Sequence, residues 1–242
     1  MNIERPTLKR QAREIIRLSQ PSVLYAGAIY AVLIAVLGYL SARIAGPTSY
    51  EQFSRYAQYM QEGSYYHAMD VLERLYPSST AQLISTALEV MEIFVGVGFT
   101  AFWYTTLRGL GASYGNLLDG FGPYIRLVLL RLVIGIFIAL WSMLLLIPGV
   151  IAAYRYSMAS FVMLDHPEYS IMECIRESAR MMRGFKGRLF LLDLSMLGWL
   201  LLSYVPILGY AVLAWYRPYH DLCYLLFYDQ LRLGTQETVY FT

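Results

Sequence analysis

Residues 124–164, YIRLVLLRLVIGIFIALWSMLLLIPGVIAAYRYSMASFVML, decide the fold class. Three side chains in this stretch are charged, Arg126, Arg131 and Arg155, and the rest is overwhelmingly apolar. A hydrocarbon core about 30 Å thick needs roughly 20 apolar residues of helix, more than a strand or an ordinary core helix supplies. The first part, 124–147, has that length and reads as one membrane span. Pro148-Gly149 punctuates the run and is expected to break the helix there. The second part, 150–164, is short for a crossing, so it reads as tilted, kinked or partly re-entrant.

Similar runs extend outward on both sides, over 22–44, 81–107, 189–205 and 210–231. Pro206 and Gly209 mark the turn between the last two. The expected architecture is therefore all-α, a polytopic transmembrane bundle of about six membrane helices plus amphipathic interfacial helices. Its organisation reads as a cytoplasmic amphipathic helix at 1–20 and a single transmembrane domain at 21–242. That domain includes an extracytoplasmic amphipathic segment, 45–80, and a cytoplasmic helix within 166–188.

Composition agrees. Of 242 residues, 57% are apolar and 15% charged, where soluble domains run nearer half and a quarter. The net charge of +2 and the lack of a basic patch interleaved with aromatics argue against nucleic acid as a partner. Cys174 and Cys223 lie in unrelated segments, which indicates neither a disulfide framework nor a zinc site. The first apolar run is longer than a signal-peptide core, and Arg43 stands where cleavage wants a small residue, so it reads as an uncleaved span.

Between the runs lie amphipathic patterns. Leu8, Ala12 and Ile15 share one face of residues 7–19 while Arg10, Arg13 and Arg17 share another, which suits the headgroup plane. In 45–80, Tyr50, Phe53, Ala57 and Met60 share a face. Farther on, Ala68, Met69, Leu72, Leu75 and Tyr76 oppose His67, Asp70, Glu73 and Arg74. Orientation follows from the arginines and lysines. With the N-terminus inside, thirteen fall on the cytoplasmic side, among them Arg10, Arg126, Arg180 and Arg188, against Arg43, Arg55, Arg74, Arg155 and Arg217 outside. Both termini are then cytoplasmic. The spacing Trp141–Pro148 recurs as Trp199–Pro206, so the last four spans read as two equivalent hairpins.

The second half carries an ordered set of short motifs: Ile147-Pro148-Gly149, Tyr156-Ser157-Met158, Asp165-x-Pro167, Ser178, Met181-Met182-x-Gly184, Leu189-Phe190, Leu194-Ser195, Gly198-Trp199, Pro218-Tyr219 and Phe227-Tyr228. This pattern resembles the bacterial membrane-protein family catalogued as domain of unknown function 975. The resemblance implies a multi-pass protein of the bacterial cytoplasmic membrane, and it brings no reaction, cofactor or catalytic residue with it.

Ionisable groups at membrane depth are costly, so each one is a candidate for function. Glu89 and Glu92 lie about one turn apart on the second span, and Arg155 and Arg217 sit at comparable outer-half depth. The four are expected to converge as a charge cluster, with Tyr154, Tyr156, Tyr216 and Tyr219 as an aromatic rim. Plain structural pairing is the competing reading. Arg131 and Asp193 have similar depths near the inner face and are expected to form a structural ion pair, which Ser195 would extend. His220 and Asp221 suit either a proton relay or a satisfied buried histidine. Asp165-His166-Pro167-Glu168 is too crowded for a metal site and suits a turn and cap instead. No catalytic triad, HExxH or phosphate-cradling loop is present, so neither catalysis nor a cofactor nor a metal is expected.

Two functional readings follow. The first is a non-enzymatic protein acting through the bilayer and a membrane-protein partner or a second copy, in a scaffold, assembly or immunity-type role. The alternative is a small-solute transporter or channel-like protein with a charged outer-half cavity.

Overall fold

The computed structural model describes residues 4–19, 22–45, 49–75, 79–115, 117, 124–203, 205 and 208–240. Among them the regular structure is helical, with no strand. Four stretches are long and apolar enough to cross a membrane: Val23–Ile44, Ser79–Arg108, Ile125–Leu144 and Leu146–Asp165. The chain is a polytopic membrane protein built from helices. Its contacts divide into two units, Met1–Val32 with Ile93–Thr242, and Leu33–Glu92.

The first unit begins with α1, Arg5–Leu18, whose buried residues are Leu8, Ala12 and Ile16. That face packs on α12, Leu208–Tyr240. Arg5 donates to the Leu191 carbonyl at 3.4 Å and Lys9 to the Ser195 carbonyl at 3.2 Å. Two cations thus meet carbonyls at the C-terminal end of α10, Lys186–Leu194, where cations are favoured. Burial lowers the Lys9 ammonium below the ordinary lysine value.

The helix break of the central hairpin lies three residues before the expected Pro148. Helix α6, Ile125–Leu144, stops at an extended Leu145, φ −161°, and α7, Leu146–Tyr156, begins immediately after it. A proline has no N–H for the carbonyl four residues back and its ring clashes with that carbonyl. For Pro148 that residue is Leu144, the last of α6. Pro148 itself sits in the first turn of α7, where its N–H is not required. The helices then fold back on each other closely enough that a Cβ at Gly149 would collide with Ser142. The last hairpin repeats the device: a Cβ at Gly209 in α12 would collide with the Ser203 carbonyl at the end of α11, Leu197–Ser203. Pro206, the other expected break, lies outside the described residues.

The short fourth run proves to be two helices, α7 and α8 (Ala159–Asp165), joined by a turn at Ser157-Met158. A turn at this depth strands backbone groups. Ser178 takes both, donating to the Arg155 carbonyl at 3.0 Å and accepting from the Met158 N–H at 3.2 Å. Ser178 is fully buried on α9, Ile171–Met181, beside Cys174, Ile175 and Ala179. The 166–188 segment therefore packs its apolar face into the unit. Its cap also differs from the expected Asp165: Ser170 accepts from the Glu173 N–H while the Glu173 carboxylate accepts from the Ser170 N–H.

The fifth run is likewise divided, into α10 and α11, with a turn at Ser195-Met196. Helix α12 is 33 residues long and carries Arg217, Pro218, His220 and Asp221 in its interior. Pro218 cannot donate to the Ala214 carbonyl. That same carbonyl is where α2, Val23–Ala45, comes closest, since a Cβ at Gly27 would collide with it.

The second unit holds α3, Ser49–Gln61, and α4, Tyr65–Leu75, which pack on each other. Gly63 turns the chain between them at φ +70°. Ala68 is buried, while Phe53 and Met69 from the two expected apolar faces are exposed. The side chains of Tyr50, Leu72 and Leu75, and Tyr76 altogether, lie outside the described residues.

Candidate functional site

Helix α12 presents Tyr216, His220, Tyr224, Tyr228 and Arg232 at four-residue spacing, and Arg217, Asp221 and Asp229 on an adjoining row. Residues four apart stack on one helix face. The His220 ring accordingly lies 5.6 Å from Tyr216 and 4.4 Å from Tyr224. This stripe supplies most of the polar chemistry of the first unit.

Its upper part meets α10 at Asp193. One carboxylate oxygen of Asp193 accepts from the Tyr154 hydroxyl at 2.9 Å and the Tyr224 hydroxyl at 2.7 Å. The other faces His220 Nε2 at 3.2 Å. On its far side, His220 Nδ1 faces the Asp221 carboxylate at 3.5 Å. Asp221 in turn accepts from Arg217 Nε at 3.0 Å. Arg217 also lies over the Tyr30 ring, 5.6 Å from its centre. A continuous chain results, Arg217–Asp221–His220–Asp193–Tyr. Beside it is a cavity of about 410 Å³, with Arg217, His220 and Asp193 at its polar end and Phe190, Leu200 and Leu213 among its apolar walls.

The expected pairings come out differently. Among the described residues no ion pair joins Arg131 to Asp193. Arg131 donates to Thr100 on α5, Ser79–Arg108, against Gly96, and lies in the electrostatic reach of Arg217 and Asp221. Two tyrosines and a histidine surround Asp193 instead. Equal depth along two helices does not make their faces meet, because the rotation of each helix decides that. Ser195 bonds back within its own helix, to the Leu192 carbonyl at 2.5 Å.

The four-membered cluster is not assembled within one unit. Glu89 and Glu92 belong to the second, with Glu89 exposed. Arg155 and Arg217 belong to the first, where Arg155 is exposed beside the Tyr156 ring at 5.7 Å. Arg217 finds its carboxylate one turn along its own helix, a partner that needs no tertiary assembly. Of the expected rim, Tyr154 and Tyr216 border the cavity, and Tyr219 stacks on Trp215 at 4.9 Å.

A second polar cluster went unread in the sequence. Asp165, its side chain 5% exposed, accepts from Tyr104 at 2.5 Å, Tyr228 at 2.8 Å, Arg232 at 3.1 Å and Arg108 at 3.4 Å. Arg108 also binds Asp229 at 2.6 Å. The cluster ties the ends of α5, α8 and α12 together. The four-residue rhythm of α12 was the available signal for Tyr224 and Tyr228. Tyr104 gave none, and Tyr154 was expected in an aromatic rim and not as a donor to Asp193.

Residues 124–234 match a family model, and they contain every residue of the Asp193–Arg217 chain and every side chain named on the cavity. The matching model is that of the family described as Protein of unknown function (DUF975). The DUF975 region runs from α6 through most of α12, so Ser178, Asp165 and both hairpins fall inside it. Tyr30, Thr100, Tyr104 and Arg108 contribute from outside. No curated protein and no solved structure matches the chain.

Proposed function

We propose that this chain is a non-enzymatic protein of the bacterial cytoplasmic membrane, with both termini cytoplasmic, that binds a small solute for passage across the bilayer. One observation carries this reading: the cavity of about 410 Å³, where Arg217, His220 and Asp193 adjoin leucine walls among the membrane helices. Pockets of this size, mostly apolar with a few convergent polar groups, are the usual form of a small-molecule site. Ion pairing that only held helices together would need no such space. The test is uptake of a solute panel into proteoliposomes, comparing the wild type with Leu213→Trp, which narrows the cavity from its apolar wall. Equal uptake by both proteins for every solute would reject the reading.

The partner-dependent role, as scaffold, assembly factor or immunity-type protector, has its own support. Met143, Leu144, Leu145, Leu146 and Ile147 at the tip of the α6–α7 hairpin are 68–84% exposed. Affinity capture from mild detergent, with the tip changed to serines as control, separates a partner-binding tip from one that merely meets lipid.

A further inference from the structure

Both ring nitrogens of His220 face carboxylates, Asp193 at 3.2 Å and Asp221 at 3.5 Å. A carboxylate can only accept, and a neutral imidazole carries one N–H and one lone pair. A neutral His220 would therefore set a lone pair against one of the two carboxylates. Asp193 already receives two tyrosine hydroxyls and Asp221 receives Arg217. Those donors favour the ionised form of each, so the additional proton belongs on the imidazole. Among the described residues, the charged and titratable groups of this network are Tyr154 from α7, Asp193 from α10, Tyr216, Arg217, Asp221 and Tyr224 from α12 itself, and, through Arg217, Arg131 from α6 and Tyr30 from α2. Among these described groups Arg131, Arg217 and His220 carry three positive charges against two negative ones on Asp193 and Asp221, an excess of one.

An uncompensated charge among membrane helices calls for a counter-charge. Arg217 spends Nε on Asp221, and the guanidinium also borders the cavity. Phe190, Leu200 and Leu213 are among the apolar residues that line the same cavity. Charge and apolar wall together describe an amphiphile with one anionic head.

We propose that the cavity binds a small organic monocarboxylate, its carboxylate against Arg217 and its apolar body along Leu200 and Leu213. This inference rests on the solute-pocket reading and adds the ligand class. The negative charge of Asp193 is offset by the protonated His220 against it, and its oxygens are turned to Tyr154 and Tyr224.

The test is equilibrium dialysis of the full chain in phosphatidylcholine nanodiscs against octanoate, octanol and octylammonium, with empty nanodiscs subtracted. The expected result is octanoate binding at least about tenfold tighter than either analogue, one decade in the dissociation constant. Leu213→Trp should abolish that binding. Binding should also weaken as the pH rises while octanoate stays ionised, since His220 then loses its charge. His220→Gln, which carries no charge at any pH, should hold octanoate at the weak high-pH level throughout, whereas damage to folding would abolish binding at every pH. Octanol or octylammonium binding as tightly, with Leu213→Trp still abolishing it, would overturn the ligand class and leave the pocket standing. Binding by no probe, or binding indifferent to Leu213→Trp, would overturn both.

Discussion

Ser178 illustrates how much one side chain decides. Its hydroxyl serves a carbonyl and an N–H that the turn at Ser157-Met158 has released. Ser178→Ala would leave both buried groups without a partner, at about 1–3 kcal/mol each. A denaturant titration of the purified chain should show a loss of roughly that size, whereas Ser203→Ala, exposed at a helix end, should be nearly silent. Arg217 and Asp221 give a second case. Removing one member of this half-buried pair leaves the other charge unpaired among membrane helices, which costs more than replacing both with apolar groups. Asp221→Leu alone should therefore destabilise strongly, and adding Arg217→Met should restore most of the loss. Equal stability of the single and double variants would reject the pairing. That pair was open to reading, since four residues separate its members on one helix. The donors on Asp193 come from two other helices, α7 and α12, and sequence spacing holds no record of how those helices rotate.

At the scale of elements, helix type and rough extent followed from apolar run length, because the bilayer demands that length wherever the run occurs. Breaks were harder. A proline disrupts the carbonyl four residues earlier, so the visible Pro148 marks a discontinuity whose place is Leu145. The Ser157 and Ser195 turns carry neither proline nor glycine, and α9 together with α1 supplies the groups that tolerate them. Gly27 faces the carbonyl that Pro218 leaves free. Gly27→Leu should push α2 from α12 and lower the thermal midpoint by several degrees, with Gly135→Leu, where an added Cβ meets nothing, as control. Helix α9 should also respond to acid. The Ser170 N–H holds the Glu173 carboxylate below its ordinary value of 4.5. A lowered carboxylate contributes stability that is complete above 4.5 and is lost as the pH falls through the folded-state value. Protection of α9 against proteolysis should drop in that window and should not drop further in Glu173→Gln.

For the whole molecule, the expected count of about six crossings rests on long apolar runs, and four helices satisfy length and composition outright. The α10–α11 stretch is divided and α12 is charged at its centre. Those two departures border the cavity, which explains why hydropathy reads them least clearly: the residues that weaken the apolar signal are the ones that line the polar space. Arginine asymmetry predicts the direction of the chain. A cysteine at Ser64 should react with an impermeant thiol reagent added outside intact cells, and one at Ser170 should not. The opposite pattern would invert the topology.

The serine that closes the α7–α8 turn is made late. Twenty residues separate Met158 from Ser178, which at about 5–20 residues per second is a delay on the order of 1–4 s during synthesis. Through that interval the nascent hairpin carries a backbone opening that no residue yet translated can seal. The α7–α8 crossing therefore cannot settle in lipid as an independent insertion step. It must wait beside the insertion machinery, or in contact with water, until α9 arrives. In ribosome-bound intermediates ending between these two residues, a cysteine placed at Ala159 should still react with a water-soluble thiol reagent, and in those extending past α9 it should not.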